Sequence, residues 1–478
     1  MSLDRHPLGL GYLAATVLRH SEWQVDVYQA DFNRGRHRLS PNVAFYVGEG
    51  FRNYLAALSS RDHPVWAEVR SVVSRLRPAV VGVTGMTQKW GAIRRVVDIV
   101  KDVDRDCLVL LGGPHASMAP DMALGHPGID LCVRGEGESV LLELLDAYSR
   151  GREAVFGVPG VSWRHNGRIV HNESRGLIPD LDELPHPHEH APEFLLNANE
   201  FPSQAFGYVF ASRGCPYNCL YCGSRSIWSR KVRHRSVANV MDEIEKIRQH
   251  WRLEELQFED DTFSTSRDWT LSLCGALSQL RPRLRWSCET HPRLVTEELA
   301  RAMHTAGCHS VCLGVESGSP EILRRIRKKL TPEDALRAAR TLKANGIEPE
   351  AFFMVGFPWE TEQTVGATME LIRRIDAAVA YSIFTPYPGT EAFEVCRSMG
   401  LIAEDYDPAL YNHQSPENCF VAGMSLPEFR RLTRRVERMV DATNRRHLLK
   451  NVIRNPARGV RAALRLGWRG TLRKVLAG

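Results

Sequence analysis

RGCPYNCLYC, residues 213–222, decides the fold of this chain. The stretch carries Cys215, Cys219 and Cys222 at i, i+4 and i+7, and it follows an apolar, strand-like run at residues 207–212. Thiolates at this spacing on one loop can converge on a single iron–sulfur cluster. Because such clusters usually take four cysteines, three leave one iron open for a ligand that is not a protein side chain.

Two other interpretations of the cysteines stay open at this point. A zinc site needs a fourth ligand, for which His234 is the nearest candidate. The three cysteines could also be unrelated buried thiols. The tight spacing and the Gly, Pro and Asn of the loop favour the cluster over both.

Length and composition indicate a large cytoplasmic protein of several domains. The chain has 478 residues, of which 43% are hydrophobic, as in an ordinary globular protein. We expect no transmembrane helix, because no run of 18 apolar residues occurs, and the N-terminus lacks a signal pattern. Eleven cysteines without such a signal indicate reduced thiols and a metal site rather than disulfides.

The positive charge of the chain is concentrated at its C-terminus. The net charge is +6, but residues 429–478 hold 15 Lys and Arg against two acids, so the rest of the chain is acidic. From Pro456 onward the spacing predicts a basic amphipathic helix, which is typical of contact with anionic lipid or an acidic partner. Packing of this helix on the protein's own acidic body is the alternative. No base-reading motif accompanies it, so we expect no nucleic-acid partner.

The first 150 residues predict a parallel α/β sheet. Strand-like runs at residues 25–28, 78–84, 107–113 and 130–133 alternate with helical patterns, the first of which opens at His6. This alternation is typical of a doubly wound parallel sheet. Ligands of such sheets bind beyond the carboxyl ends of the strands, where small residues let the backbone approach a large cofactor.

Residues 151–202 read as a connector with a small hairpin and a proline-rich crossing. His186, His188 and His190 alternate in an extended stretch of it. We interpret them as part of a solvated linker, with a metal site as the alternative.

Residues 203–395 alternate strand and helix about six times and predict a partial (β/α)6 barrel. Polar groups follow the strands, which is where chemistry gathers in barrel folds. Glu259, Asp260 and Asp261 end the second strand, although a helix N-cap is another role for such acids. Glu289 and Arg293 lie at the exit of the third strand and are candidates to face substrate or a ligand carboxylate. Residues 396–478 form a helical, basic C-terminal region.

The motif Cys-x3-Cys-x-aromatic-Cys resembles that of the radical S-adenosylmethionine (SAM) superfamily. Three further stretches, PLGLGYLAA at residues 7–15, GGPH at 112–115 and RGEGE at 134–138, look like the cobalamin-binding domain of class B radical SAM enzymes. The resemblance covers roughly residues 6–395 and implies a Rossmann-like cobalamin domain followed by the barrel. It also implies a 4Fe–4S cluster, SAM and base-off cobalamin, because the Asp-x-His-x-x-Gly signature of other cobalamin proteins is absent.

The resemblance also implies site residues. The cluster would be held by Cys215, Cys219 and Cys222, which are the catalytic and metal-binding residues. The SAM contacts would be Tyr221, Asp260, Asp261, Glu316, Gly318, Val355 and Gly356. The cobalamin contacts would be Leu8, Gly9, Thr84, Gly85, Met86, Gly112, Gly113, His115, Gly135 and Glu136.

One departure from the family concerns the start of the first sheet. Family members have an apolar strand before the PLGLG segment, and that strand is central in the sheet. The printed sequence has no counterpart of it, so we expect sheet edges to be exposed there. His115 has two interpretations. It could be an axial cobalt ligand, or it could be hydrogen-bonded near the corrin or nucleotide tail, which is the interpretation that we prefer.

The function that the resemblance implies is cobalamin-dependent C-methylation of an unactivated carbon, started by a 5′-deoxyadenosyl radical. A phosphinate phosphorus is a less favoured acceptor. The alternatives are cyclisation or rearrangement without methyl transfer, a radical SAM enzyme without cobalamin, and a non-catalytic electron-transfer protein. We expect a small-molecule, lipid-like or carrier-bound substrate and an external electron donor such as flavodoxin or ferredoxin. The expected location is cytoplasmic, with contact at the membrane surface through the tail as an open alternative.

Overall fold

The computed structural model describes residues 3, 5–30, 53–253, 255–413, 415 and 417–454. Within those ranges no helix has the length and apolar character needed to cross a bilayer. The predicted basic helix after Pro456 lies outside the described residues.

The first domain is built on a five-stranded sheet in the order β1-β2-β3-β4-β5. β1, β2 and β3 run parallel, while β4 and β5 form an antiparallel hairpin that pairs with β3. The strands span Val80–Thr84, Leu108–Gly112, Leu131–Val133, Val161–His165 and Arg168–His171. The helices α1 to α6 span Leu8–His20, Pro64–Leu76, Trp90–Val103, Gly113–Met118, Pro120–Leu124 and Glu138–Arg150.

Both faces of this sheet are covered, as the doubly wound prediction requires. Alternate residues of β2 enter two separate clusters of buried side chains, because neighbouring side chains of a strand point to opposite faces. Val109 and Leu111 pack with α3, whereas Leu108 and Leu110 pack with α6. The predicted parallel α/β sheet is confirmed.

Two details of the first domain differ from the sequence interpretation. The prediction of a strand at residues 25–28 is wrong, because only Val27 makes a bridge, and its partner is Leu195 rather than the sheet. The hairpin that we assigned to the connector continues the first sheet instead. β1 is an edge strand with no fully buried residue, and no strand of the described ranges pairs with its free side.

The second domain carries a six-stranded, fully parallel sheet in the order β13-β12-β11-β10-β9-β6, with a separate hairpin β7–β8. This open array confirms the partial (β/α)6 barrel. Its strands β6 to β13 span Tyr208–Val209, Ser212–Arg213, Arg233–His234, Glu255–Phe258, Arg285–Thr290, Cys308–Glu316, Glu348–Val355 and Ala378–Ile383. The helices α7 to α16 span Ala191–Phe194, Ser224–Trp228, Val237–His250, Arg267–Leu277, Glu297–Thr305, Pro320–Arg325, Pro332–Ala344, Glu362–Arg374, Glu391–Ser398 and Leu426–Arg454.

Local signals set the helix ends in this domain. α13 begins at a capping box in which Thr331 and Asp334 each accept from the other's backbone N–H. Such a box satisfies two N–H groups that a helix leaves free at its start. The chain leaves the helix at Asn345 and turns at Gly346, where φ is +80°, a conformation that costs glycine little.

One large core unites the barrel with the C-terminal region. Buried residues from every strand of the second sheet share a cluster with Phe429, Leu432 and Val436 of α16. α16 therefore packs against the sheet edge at β13 and contributes to the core of the barrel.

Candidate functional site

The loop with the three cysteines is fixed by backbone contacts to the barrel. Leu220 is buried, donates its N–H to Ile326 O at 3.0 Å and accepts from Ala392 N at 3.1 Å. Gly214 has φ +102°, and a Cβ there would lie 2.0 Å from Lys231 O, so only glycine fits beside Cys215. The loop is therefore held in one conformation before any ligand binds.

The three thiols on this loop differ in how far they are buried. Cys215 and Cys219 are half-buried, Cys222 is exposed, and none forms a disulfide. Burial raises the pKa of Cys219, and the nearby Lys328 amine acts against that rise. The positive charge of Lys328 therefore stabilises a thiolate at Cys219, and iron would add to this charge when bound.

A single metal ion does not fit this arrangement. Among the described residues no group of three or more His, Cys, Asp or Glu side chains is placed to hold one ion. The ligands of a four-iron cluster bind different irons, so they converge less closely than the ligands of one ion. His234, the alternative zinc ligand, instead hydrogen-bonds Thr265 Oγ1 at 3.0 Å and lies against the Trp269 ring.

The acids after β9 have separate roles. Asp260 is buried and accepts from Ala211 N at 3.3 Å and from the Ser212 hydroxyl. It therefore fixes the backbone that leads into the cysteine loop, and its assignment to SAM stays a prediction. Asp261 is exposed and accepts from Ser224 Oγ at 2.6 Å, so it remains available to a ligand ammonium group.

Glu316 at the end of β11 is the most constrained acid of the site. Its φ is +68°, which is rare for a residue with a side chain and typical of functional sites. Its Oε1 accepts from Lys328 Nζ at 3.0 Å, and, after burial, the charge of Glu316 raises the pKa of Tyr221. Both Glu316 and Lys328 are buried. The three residues make a polar group beside Cys219 that could bind hydroxyl or carboxylate groups of a ligand.

Three of the predicted SAM residues make packing contacts or hydrogen bonds inside the barrel. A Cβ on Gly318 would lie 2.4 Å from Ala367 O, so the close approach that this glycine permits is to α14. Val355 is a core side chain, and its carbonyl accepts from Phe384 N at 2.8 Å. The Gly356 N–H donates to Glu360. These contacts lie inside the barrel, and the assignment of the three residues to SAM stays a prediction.

The recess inside the barrel is acidic. Glu259 pairs with Arg5 Nη1 at 3.0 Å. Desolvation, and next the charge of Glu259, raises the pKa of Glu289 to about 7. Arg293 is placed elsewhere, donating to Lys329 O at 3.4 Å, so the two predicted residues of the third strand are not partners.

The carboxyl edge of the first sheet is a shelf of open backbone. Gly112 and Gly135, at the ends of β2 and β3, each have no atom within 4 Å of the position that a Cβ would take, and Gly9 in the first turn of α1 is equally open. Met86, after β1, is 56% exposed. These residues fit a broad, flat cofactor such as a corrinoid, because nothing but backbone separates it from the sheet. Thr84, Gly85 and Gly113 lie at the same edge, whereas Leu8 is buried in α1.

His115 lies beneath this shelf. It is fully buried, its Nδ1 is 3.2 Å from Thr87 Oγ1, and its ring lies 4.7 Å from that of Trp90. Burial lowers the pKa of His115 to about 4, so the ring is neutral. Its Nε2 is buried and has no hydrogen-bond partner. The hydrogen-bonded interpretation agrees with this placement, because the ring reaches no open surface from which to ligate cobalt.

Glu136, which we predicted to contact cobalamin, lies at the contact between the domains, and its role toward cobalamin stays a prediction. Its carboxylate accepts from Arg213, Arg233 and the N–H of Ile178. These partners saturate both oxygens at the contact between the domains.

The linker histidines were also misjudged. His186 and His188 are buried rather than solvated, and His188 Nδ1 lies 2.8 Å from Glu243 Oε1. Arg235 also donates to Glu243, so the stretch is part of the domain contact.

Sequence reasoning missed Lys328, Glu138, Arg213 and Arg233. The two arginines flank the cysteine loop and Lys328 lies in a basic run, but arginines and lysines in such runs are usually solvated. Only their partners across the fold distinguish them.

Comparisons with known proteins agree with this geometry. Residues 209–372 match the family model of the radical SAM superfamily, and residues 1–145 match that of the B12 binding domain. An uncharacterized methyltransferase of Pyrococcus horikoshii is 33% identical over 363 residues, which is 73% of this chain and 78% of that protein.

Two further similarities differ in what they cover. The anaerobic magnesium-protoporphyrin IX monomethyl ester cyclase of Rubrivivax gelatinosus is 29% identical over 361 residues, 73% of this chain and 63% of that protein. The structure of the radical SAM methyltransferase TsrM from Kitasatospora setae, with cobalamin and a [4Fe-4S] cluster bound, superposes with a TM-score of 0.66 at 20% identity. That match covers 92% of this chain and 86% of TsrM.

The chain belongs to the cobalamin-dependent radical SAM enzymes. The predicted family, fold and enzyme class are confirmed, and so are the three cofactors, the 4Fe–4S cluster, SAM and cobalamin. Its residues fit these groups: three cysteines on one fixed loop, polar groups beside them, and a glycine shelf on the first sheet.

Proposed function

We propose that this enzyme methylates an unactivated carbon of a small molecule. When bound, the cluster supplies the electron that cleaves SAM to a 5′-deoxyadenosyl radical, and cobalamin carries the methyl group. The chain's own residues bind and orient these groups: the thiolates of Cys215, Cys219 and Cys222 hold the cluster. Asp261, Glu316 and Lys328 are placed to bind the polar parts of SAM.

One observation carries the proposal: the glycine shelf and the cysteine loop adjoin. Met118, at the end of the helix that follows β2, lies where a Cβ on Gly223 would be 2.4 Å from its Sδ. A Cβ on Gly389 would be 2.0 Å from Met118 O. The helix beside the shelf is therefore inserted between two loops of the barrel mouth. This juxtaposition supports the transfer of a group from one cofactor to a radical that the other has generated.

Cyclisation or rearrangement without methyl transfer is the second candidate, favoured by the similarity to the Rubrivivax gelatinosus cyclase. The product mass separates the two, since only methylation adds a methylene unit. The reconstituted enzyme would be incubated with cell extract and with SAM that carries a deuterated methyl group. A product that gains the labelled methyl supports methylation. Formation of 5′-deoxyadenosine with an unlabelled product overturns it.

The substrate class and the surface of the enzyme are further proposals. We propose that a lipid-like or carrier-bound substrate is met through the basic C-terminal region. Leu448 and Leu449 are exposed near the end of α16, beside Arg445, Arg446 and Lys450. Apolar side chains flanked by cations suit an anionic lipid surface. Co-sedimentation with anionic vesicles, of the full chain and of the full chain with Leu448→Ser and Leu449→Ser, tests this. Equal partitioning of both chains at background level would exclude the lipid.

A low-potential protein such as flavodoxin or ferredoxin remains the proposed electron donor. Cys222 is the most exposed of the three cysteines, so the donor would approach from its side of the loop.

A further inference from the structure

Four charged side chains meet where the first domain touches the cysteine loop. Glu136 and Glu138 follow β3 of the first sheet, while Arg213 and Arg233 lie on the hairpin β7–β8 of the second domain. Arg213 donates to Glu136 at 2.8 Å and to Glu138 at 2.6 Å. Arg233 donates to the two oxygens of Glu136 at 2.8 and 3.0 Å. We call these four residues the latch.

The latch is buried, and this determines how it acts. The exposed side-chain fractions are 2% for Glu136, 7% for Glu138, 10% for Arg213 and 12% for Arg233. Buried charges are costly unless each is paired and hydrogen-bonded. The charges of the two carboxylates and the two guanidiniums cancel. All four groups are therefore paired only when the two domains are docked in this arrangement.

Aromatic rings fix the arginines from the sides. The Arg213 guanidinium lies 5.0 Å from the ring centre of Tyr12 and 5.9 Å from that of Trp228. Arg233 lies 5.8 Å from the same Trp228 ring. Tyr12 belongs to α1 of the first domain, whereas Trp228 ends the helix after the cysteines. The latch is thus enclosed by side chains of both domains.

The latch leads directly into the cysteine loop. Arg213 and Arg233 are register partners of the hairpin β7–β8, and Gly214 and Cys215 follow Arg213 without an intervening residue. A displacement of Arg213 therefore moves the backbone that carries the first cysteine.

We infer that Glu136 and Glu138 are positioning residues, which hold the cysteine loop at a fixed place relative to the glycine shelf of the first domain. They act through Arg213 and Arg233. For the reaction, this inference rests on the proposed function. With the latch opened, SAM is still cleaved, but the amount of methylated product formed per 5′-deoxyadenosine falls.

Hydrogen exchange of the reconstituted holoenzyme tests the latch without substrate or turnover. The variants are Glu136→Gln and Glu138→Gln, which keep the side-chain shape and remove one charge. We expect amides of residues 208–235 to exchange roughly tenfold faster in both variants, because a domain contact opens more often when a buried charge loses its partner. Iron content and the visible spectrum of bound cobalamin stay as in the unchanged protein. Glu138→Asp keeps the charge and restores most of the protection.

The matched control is Asp130→Asn, which removes a half-buried ion pair with Lys101 inside the first domain. It lowers stability without opening the contact, so residues 208–235 keep their protection. A second variant, Trp228→Leu, removes the ring between the two arginines and accelerates the same peptide by a smaller factor. If either glutamine variant unfolds, Trp228→Leu still decides the outcome.

Unchanged exchange at residues 208–235 in the glutamine variants, or equal acceleration in Asp130→Asn, overturns the inference. Failure of the proposed function would look different. In that case the unchanged enzyme yields no methylated product, while the exchange pattern of the variants still reports on the latch.

Discussion

The two sheets of this enzyme present opposite chemistry at the carboxyl ends of their parallel strands. At the first sheet, Gly112 and Gly135 leave bare backbone with no neighbouring atom above it. At the second sheet, Glu316 and Lys328 form a buried ion pair beside the cysteine loop. Both edges are places where α/β folds bind ligands, yet one is stripped of side chains and the other is crowded with charge.

The difference follows from the size and charge of what each edge binds. A corrin ring is broader than any side chain, so its site needs a surface from which side chains are absent. SAM is smaller and carries an ammonium and a carboxylate, so its site needs charges that match them. The fold gives the position of each site, and the residue types at the strand ends select the ligand.

The largest expected effect is loss of the cluster at the second sheet with no change in cobalamin binding at the first. Cys219→Ala removes a cluster ligand whose backbone neighbours are fixed, so no other residue can replace it. We expect no cluster absorbance and no 5′-deoxyadenosine, while hydroxocobalamin binds as in the unchanged protein. Visible spectra and iron analysis measure both. Cys419→Ser is the control, since that half-buried thiol contacts Met424 O far along the chain. Loss of cobalamin binding in Cys219→Ala would contradict the independence of the edges.

The charged edge is the next to be tested. Lys328→Met leaves the Glu316 carboxylate buried without its cation, and breaking a buried pair in this way costs about 3–5 kcal/mol. Urea unfolding of the apoprotein measures the free energy of unfolding. Arg267→Met removes an exposed pair with Glu298 and serves as the control, with an expected change of at most about 1 kcal/mol. Equal changes in the two variants would show that Glu316 is not desolvated.

A buried carboxylate makes the loop after β12 sensitive to pH. Burial raises the pKa of Glu360 to about 7, although the hydrogen bonds that its carboxylate accepts from the N–H groups of Gly356 and Phe357 act to lower it. The folded state therefore holds this proton more tightly than the unfolded chain. Stability from Glu360 is complete below the unfolded pKa and is lost as the pH rises through 7, by on the order of 3 kcal/mol.

Glu360→Gln should flatten this part of the stability profile between pH 5 and 8. Thermal unfolding across that range, compared with the unchanged protein, makes the measurement. Glu362→Gln, two residues away at an exposed position, is the control and keeps the slope. A slope that persists in Glu360→Gln would assign the effect to another group.

The smallest change in stability distinguishes open from packed glycines. Gly112 is extended, with φ −123°, and has free space above it, so Gly112→Val should change stability by less than about 1 kcal/mol. The same variant should weaken cobalamin binding roughly tenfold, since its side chain occupies the shelf. Titration of hydroxocobalamin and thermal unfolding measure the two effects.

Gly318→Ala is the matched opposite. Its Cβ would meet Ala367 O at 2.4 Å and Thr368 Cα at 2.7 Å, so we expect a loss of about 1–3 kcal/mol in stability and unchanged cobalamin binding. If both glycine variants behaved alike, the distinction between the shelf and the packed barrel would fail.

Much of the fold was predictable because periodic patterns are local. The apolar runs before Thr84, before Gly112 and along residues 310–316 predict strands, and the structure contains them. The strand expected at residues 25–28 failed for a non-local reason. A strand requires a partner strand, and within the described residues Val27 forms only an isolated bridge with Leu195.

The site was predictable where chemistry depends on spacing along the chain. The three cysteines need only their own loop, and they lie together on it. Roles that depend on burial were not predictable, because a sequence does not show which face of a loop is covered. Asp260 and Asp261 are neighbours in sequence, but one is buried under Ser212 and the other meets Ser224 at the surface.

The sequence by itself determined the family, the order of the domains and the cofactors, and it predicted the three cysteines as the cluster ligands, because these follow from residue type and spacing. Only the tertiary structure decided which glycines are open and which are packed, that Lys328 faces Glu316, and that Glu136 and Glu138 meet Arg213 and Arg233 across the domain contact. Those relations join residues up to 97 positions apart, and burial, which exists only in the folded chain, gives them their energy.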